Sequence, residues 1–415
     1  MSKETISVVG LGYIGLPTAT LLSLSGLSVI GVDTNAKIVN DINSGHIQTL
    51  EKGLTEAVFT TVQNGLFTAS IVPQRADTFI IAVPTPFLKK LKDGYCPEPD
   101  LSYVSSAVRA ISSILEPGNL IILESTCPVG TTEMISKLIL ELRPDLTTPH
   151  TCLNSPSINI AYCPERVLPG KILEELISND RIIGGLTDHC ARRAKSIYKN
   201  FVKGNCITTD AKTAEMSKLA ENSSRDVQIA FANELSMVCD KLGIDVWEVI
   251  KLSNLHPRVS ILSPGPGVGG HCIAVDPWFI VSSAPEQSQL IKKSREVNVG
   301  KTTWVVEKVM ALAEEFPNKK IFCCGLAYKP NVDDLRESPA LEIAHRLHKI
   351  YGDRVRAIEP FINDDIFQYI AVDKEIDHTD ANSIYVLLVA HEIFQNSKPA
   401  SKWIIDTVGI WTETK

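Results

Sequence analysis

Thr5-Ile-Ser-Val-Val9, Gly10-Leu-Gly12-Tyr-Ile-Gly15 and Ser28-Val-Ile-Gly-Val32-Asp33 are the stretches from which the fold is read. The first is a short apolar strand, and the second is a glycine turn that opens a helical stretch from Leu16 to Gly26. The third is another strand, ending in an acid. A glycine triplet alone is a weak signal; strand, glycine turn, helix, strand and carboxylate in that order form the fingerprint of a dinucleotide-binding unit. Gly10 permits the tight turn, Gly12 lets a pyrophosphate reach the backbone, and the amides that open the helix direct partial positive charge at it. Asp33 is expected to accept hydrogen bonds from ribose hydroxyls and would repel a 2′-phosphate, so the expected cofactor is NAD rather than NADP.

Downstream, the strands Thr78–Val83 and Asn119–Leu123 run into Pro84-Thr85-Pro86 and Glu124-Ser-Thr126. Ligands of an open parallel sheet bind beyond the carboxyl ends of its strands, which places Thr85 and Thr126 on the nicotinamide side; ordinary turn chemistry is the alternative for each. Residues 87–99 read as a surface excursion and 144–159 as a loop. In Ala161-Tyr-Cys-Pro-Glu165-Arg166-Val-Leu-Pro-Gly170 an acid and a base stand between two prolines, as an ion pair at a buried edge or with Glu165 facing a substrate.

Asp210 can cap a helix from Ala211 to Leu242 that stops at Gly243. Met216, Leu219, Ala220, Val227, Ala230, Phe231, Leu235, Val238 and Leu242 recur at helical spacing and predict an apolar face for core or dimer seam. Lys218, Asn222 and Arg225 form a polar stripe on this helix, which is either a solvated face with Glu221 paired to Arg225 or a ligand-binding one. His256-Pro-Arg258 adds cations suited to a phosphate or carboxylate. After a second helical run from Gln287 to Glu314, strands return at Lys320–Cys324, Arg354–Ile358, Ser383–Val389 and Trp403–Thr407. They suggest a second doubly wound unit, without a complete glycine fingerprint, that binds a nucleotide or sugar phosphate through other contacts. The expected fold class is therefore α/β: two Rossmann-like doubly wound domains, 1–206 and 301–415, joined by a central helical domain, 207–300, with one long helix.

Pro264-Gly-Pro-Gly-Val-Gly-Gly-His-Cys272-Ile-Ala-Val-Asp276-Pro-Trp-Phe279 sets a thiol among glycines and prolines, in a loop shaped rather than floppy. If the segment after Gly270 is helical, Cys272 and Asp276 share a face. Hydride transfer needs no cysteine, but a cysteine in an NAD enzyme can trap an aldehyde as a thiohemiacetal whose oxidation leaves a thioester for water to cleave. Lys218 or Asp276 could take the alcohol proton, directly or through water.

Composition narrows the field. The chain has 415 residues, enough for two or three domains, and its net charge of −7 offers no basic footprint for nucleic acid or an anionic membrane. Ten cysteines occur without a Cys-x-x-Cys pair or a regular framework, which suits free thiols in the cytoplasm and no metal site. No apolar run approaches the length of a membrane span.

These motifs, in this order along essentially the whole chain, resemble the UDP-glucose/GDP-mannose dehydrogenase family: Gly10–Gly15, Ala82–Pro86, Glu124–Thr126, Cys163–Glu165, Glu215-Met-Ser-Lys218-Leu-Ala-Glu-Asn222, Gly269–Cys272 and Gly325-Leu-Ala-Tyr-Lys329-Pro. The resemblance implies Cys272 as nucleophile, Lys218 as general acid/base and Asn222 at the oxyanion or its water, with Thr126, Glu165 and Asp276 in support. It implies NAD contacts at Tyr13, Ile14, Asp33, Thr85, Thr126 and Arg336. Nucleotide-sugar contacts are implied at Arg166, Val167, Lys218, Asn222, Arg225, His256, Arg258, Gly269, Tyr328 and Lys329, some reaching across a homodimer or higher oligomer. The resemblance at Glu165–Gly170, His256–Arg258 and Pro264–Phe279 implies oxidation of C6 of UDP-N-acetyl-D-mannosamine with two NAD⁺ and one water, for acidic surface polysaccharide. UDP-GlcNAc, UDP-GalNAc or UDP-glucose would be alternative substrates. A two-electron hydroxyacid or polyol-phosphate dehydrogenase and a non-catalytic NAD-binding regulator are the rival readings. Cys127 departs from the family pattern, which expects Ser or Val there.

Overall fold

Thr78–Ile81 and Leu120–Leu123 are buried along their whole length, as their runs Thr-Phe-Ile-Ile and Leu-Ile-Ile-Leu require in a sheet covered on both faces. Phe79, Ile81, Ile121 and Leu123 enter the core on one face, and Ile80, Leu120 and Ile122 the core on the other. The computed structural model describes residues 4–47, 49, 51–88, 97–168, 170–270, 272–362 and 365–411. Most of the expected 87–99 excursion, Pro169 and His271 lie outside them.

The chain divides into a unit of Met1–Ala220 with Trp278–Ser283 and a unit of Glu221–Pro277 with Ala284–Lys415. The first unit holds β1 (Thr5–Val9), β2 (Ser28–Val32), β3 (Phe67–Ser70), β4 (Thr78–Ile81), β5 (Leu120–Leu123), β6 (Asn159–Tyr162), β7 (Arg181–Gly185) and β8 (Cys206–Asp210), ordered β3-β2-β1-β4-β5-β6-β7-β8. All neighbours are parallel except β6 and β7. Strand order reverses between β1 and β4, where such a sheet opens a crevice for ligand.

The second unit holds β9 (Ile321–Cys324), β10 (Val355–Ile358), β11 (Ile366–Phe367), β12 (Ile370–Asp373), β13 (Ile384–Leu387) and β14 (Ile404–Asp406), ordered β11-β12-β10-β9-β13-β14. Its centre repeats the first: Gly10 N–H donates to Val32 O across β1–β2, and Gly325 N–H donates to Ile358 O across β9–β10, both at 2.8 Å. An acid follows the second strand in each, and Leu11 N–H donates to Asp33 (3.0 Å) as Leu326 N–H does to Glu359 (2.7 Å). The expected second doubly wound unit is present. Among the described residues no helix is long and apolar enough to cross a membrane.

The helix Ala211–Leu242 spans the predicted residues, with Asp210 capping it through Thr213 N–H at 2.9 Å and Gly243 following in a left-handed conformation. Its expected apolar face is only partly realised. Leu219 and Ala230 are buried, but Met216, Phe231, Val238 and Leu242 are exposed, and the face packed in the second unit carries Ser223, Asp226, Asn233 and Ser236. The reason lies on the opposite helix, Gln289–Glu315, which presents Arg295, Asn298 and Lys301, all buried. Arg295 pairs with Asp226 at 2.7 Å, Asn298 donates to Asp226 at 2.8 Å, and Asn233 donates to Asn298 at 2.9 Å. Sequence periodicity ranks residues by polarity and cannot see that these polar groups find one another.

Lys301 lies at the end of this seam, donating to Ser236 Oγ at 2.6 Å over the Trp304 ring, and burial pushes its amine down to about 7. An unfolded lysine stays protonated to about pH 10.4. Between the two values the unfolded chain binds the extra proton, so this group makes stability rise with pH across that window. Lys301→Met is expected to raise stability at pH 7 by roughly 1–3 kcal/mol and to lose the advantage by pH 10, measured by urea unfolding. A variant less stable at pH 7 would contradict this reading.

Candidate active site

In the first unit the site gathers at the crevice between β1 and β4. Gly10 stands at φ +95°, and a Cβ there would lie 2.5 Å from Ala82 O, so β1 and the end of β4 approach only because this residue is glycine. A Cβ on Gly12 would meet nothing within 4 Å, leaving open space before the amides that begin the helix Gly15–Leu24. Asp33 is partly exposed and has oxygen capacity beyond the Leu11 and Asn35 amides it already accepts. An open cradle over backbone amides with a carboxylate beside it fits a dinucleotide. Thr85 Oγ1 donates to Thr126 O at 2.6 Å, so both threonines sit together at the carboxyl ends of β4 and β5.

Behind them lies a buried charge cluster. Glu124 accepts from Thr18 (3.1 Å), Arg181 (3.1 Å) and Tyr198 (3.2 Å), and Arg181 also lies 4.6 Å from the Tyr198 ring. Glu165 follows β6, and among the described residues its Oε1 is sealed and has no hydrogen-bond partner. Burial pushes the Glu165 carboxyl up to about 7, although the charges of Lys218 and Arg181 pull the other way. Arg166 donates to Asp180 O. Lys218 is buried.

Glu215, one turn before Lys218, is a residue that sequence reasoning quoted without a task. It is fully buried and accepts from Gly130 N–H (2.6 Å), Thr132 N–H (2.8 Å) and Thr132 Oγ1 (2.6 Å), fixing the loop after Thr126 to the helix of Lys218. Cys127 Sγ is 4.0 Å from the same carboxylate, so the departure at position 127 serves as a buried weak donor. The signal was its spacing: an acid three residues before a buried lysine shares its helix face.

In the second unit the glycine loop is held from several sides. Gly265 N–H donates to Asn233 at 2.9 Å, Thr302 donates to Pro266 O at 3.0 Å, and Gly270 N–H donates to Arg336 O at 3.1 Å. Gly270 stands at φ +79°, and a Cβ there would lie 2.9 Å from the Tyr328 ring. Cys272 is half-buried in a turn closed by Asp276 N–H onto Cys272 O at 2.8 Å; the helix itself begins at Asp276 and continues to Ser283. Thiol and carboxylate are thus one turn apart, as expected, although only the turn and not the helix covers Cys272. Asn222 donates to Asp276 Oδ2 at 2.5 Å, which fastens the Cys272 turn to the long helix one turn beyond Lys218.

Tyr328 and Lys329 sit on the loop after β9. Burial first, then the negative charge of Asp334, raise the Tyr328 hydroxyl above its ordinary range and keep it a donor. Glu359 is spent internally: besides Leu326 it accepts from Ala327 (3.2 Å) and Phe361 (3.0 Å) and lies 3.2 Å from His391 Nε2, whose Nδ1 accepts from Asn331 N–H at 2.9 Å. That carboxylate grips its own loop instead of offering oxygens to a ribose. Arg336 is forked onto Asp334. Arg225, His256 and Arg258 are exposed, and the structure brings none of the three into these clusters among the contacts described.

The sequence matches the UDP-glucose/GDP-mannose dehydrogenase family over three successive stretches: its NAD binding domain at residues 4–202, its central domain at 212–299 and its UDP binding domain at 322–413. It is 48% identical to the UDP-N-acetyl-D-mannosamine dehydrogenase of Yersinia pestis over 99% of this chain and 100% of that one. It is 50% identical to an NDP-N-acetyl-D-galactosaminuronic acid dehydrogenase of Ralstonia nicotianae over 99% and 96% of the two chains. The native structure of the Staphylococcus aureus UDP-N-acetyl-mannosamine dehydrogenase Cap5O superposes with a TM-score of 0.83 at 40% identity, covering 99% of this chain and 96% of that one. With a dinucleotide cradle in one unit, a fastened thiol in the other and these matches across both, the chain belongs to the UDP-glucose/GDP-mannose dehydrogenase family of NAD-dependent nucleotide-sugar dehydrogenases.

Proposed function

We propose that this enzyme oxidises C6 of UDP-N-acetyl-D-mannosamine to the uronate, supplying an acidic sugar nucleotide for surface polysaccharide. The observation that carries the chemistry is the Asn222–Asp276 hydrogen bond, which anchors the Cys272 turn to the helix bearing Lys218. The Yersinia relative supports mannosamine, and the Ralstonia relative favours galactosamine as a second reading; both names carry an N-acetylated sugar. The first unit would hold the cofactor at Gly10–Gly15, Asp33, Thr85 and Thr126, and the second the nucleotide sugar through Tyr328, Lys329 and Gly269. The exposed Phe231, Val238 and Leu242 on the long helix support a homodimer.

NAD, when bound, supplies the hydride acceptor for both oxidations. Lys218 takes the C6 hydroxyl proton, or passes it to water, as the alcohol becomes an aldehyde. The Cys272 thiolate then adds to the aldehyde carbon, and Asn222 donates to the oxyanion so formed. Loss of the second hydride leaves a thioester on Cys272. Glu165, ionised, takes a proton from the water that cleaves it, freeing the thiol and the carboxylate. The balance is one alcohol, two NAD⁺ and one water to one carboxylate, two NADH and three protons.

The test is a side-by-side assay of UDP-ManNAc, UDP-GlcNAc, UDP-GalNAc and UDP-glucose, counting NADH per sugar. Two NADH from UDP-ManNAc at the highest kcat/KM is the expected result; one NADH per sugar would remove the thioester route. Because Glu165 must be ionised to act as a base, activity is expected to rise with pH through about 7. Glu165→Gln should remove that limb and lower kcat by roughly 10²-fold or more. A limb unchanged in the variant would reassign it.

A further inference from the structure

Glu51 is buried to 7% exposure, yet none of the chemistry above uses it. Its Oε1 accepts from the Tyr13 hydroxyl at 3.0 Å and from Gly170 N–H at 2.6 Å, while Oε2 accepts from Ile172 N–H at 3.1 Å. One carboxylate therefore joins two segments about 150 residues apart in the sequence. Tyr13 belongs to the turn that cradles the dinucleotide. Gly170 and Ile172 end the segment that begins with Glu165, Arg166 and Val167.

The rest of that segment is tied down independently. Leu168 N–H donates to Glu175 at 2.7 Å, Asn179 donates to Arg166 O at 3.1 Å, and Val167 and Ile172 pack with Leu21 of the helix that the glycine turn opens. Glu51 adds a polar link from this segment to the turn itself. A buried carboxylate that accepts from three donors ties together the segments that carry them, because an acceptor left unmet in the interior is costly.

The geometry points to Glu51 as a positioning residue that couples dinucleotide binding to the order of residues 165–168 and 170–172. A pyrophosphate seated at Gly12 and Tyr13 immobilises the tyrosine, Tyr13 immobilises Glu51, and Glu51 holds the Gly170 and Ile172 amides. The coupling is reciprocal, so sugar nucleotide engaging Arg166 and Val167 tightens the dinucleotide by the same factor. Only this last clause rests on the proposed function.

Hydrogen exchange of the full-length protein with and without NADH tests it. In the unaltered protein NADH is expected to slow exchange at Gly170 and Ile172 by on the order of tenfold, within the usual range of such couplings. In Tyr13→Phe, which removes one hydroxyl from a 36% exposed side chain, the NADH-dependent slowing should shrink below about twofold at saturating NADH. Glu51→Gln should abolish it while also speeding exchange of these amides without NADH. Equal slowing in Tyr13→Phe and the unaltered protein, or none in the unaltered protein, overturns the proposal. The Kd of UDP-ManNAc with and without NADH forms a separate arm: a protein that binds NADH and none of the four sugars sinks the functional reading, while the exchange result still decides the role of Glu51.

Discussion

Cys272→Ala is expected to stop the reaction at the aldehyde, yielding at most one NADH per sugar and lowering turnover by roughly 10⁴-fold or more. The reason is electronic. An aldehyde carbon has no alkoxide to expel a hydride, and sulfur addition restores one. The structure supplies the second requirement, a fixed sulfur: the turn is closed by Asp276 N–H onto Cys272 O, and Asp276 is held in turn by Asn222. Cys272→Ser keeps the geometry but offers a hydroxyl that is hardly ionised at neutral pH, so it should retain the first oxidation and stall thereafter. Mass spectrometry of rapidly quenched turnover is expected to find a sugar adduct on the peptide carrying Cys272. Two NADH per sugar from Cys272→Ala would end the proposed mechanism.

Lys218→Met is expected to lower kcat by about 10²- to 10⁴-fold with a much smaller change in KM, since a positioned proton acceptor acts in the transition state. A second consequence is specific to this fold. The Lys218 charge is the largest influence holding the Glu165 carboxyl down against burial. Its removal disfavours the carboxylate, so the pH at which Glu165 ionises moves above 7, and the residual activity of Lys218→Met should need a higher pH than the unaltered enzyme. Steady-state rates from pH 6 to 9.5 would show this displacement. An undisplaced limb would mean that Lys218 and Glu165 do not share one electrostatic site.

The crevice was the most legible feature, because its determinants are local. Gly10, Gly12 and Asp33 sit at fixed offsets from strand ends, and the structure finds Gly10 at positive φ and Gly12 facing open space, as the pattern demands. The strands read from the sequence held to within a residue or two, since central strands of parallel sheets are continuous apolar runs, whereas β3, β6, β7, β8, β11 and β12 went unread. The long helix was legible in extent through Asp210 and Gly243, but its facing was not. Asp226, Asn233, Arg295 and Asn298 find their partners only where the two helices lie together.

What the sequence determined by itself is the chemistry within a single turn or motif: the dinucleotide fingerprint, the thiol among glycines, and the lysine and asparagine one helical turn apart. Only the tertiary structure decided which distant groups answer one another. Glu51 reaches Tyr13 and Gly170, Glu215 reaches Gly130 and Thr132, Glu359 turns on its own loop, and burial beside Lys218 brings Glu165 to about 7. Local motifs follow from backbone geometry over a few residues, whereas the partner and the ionisation of a buried carboxylate depend on how much water folding removes and which donors arrive from elsewhere in the chain.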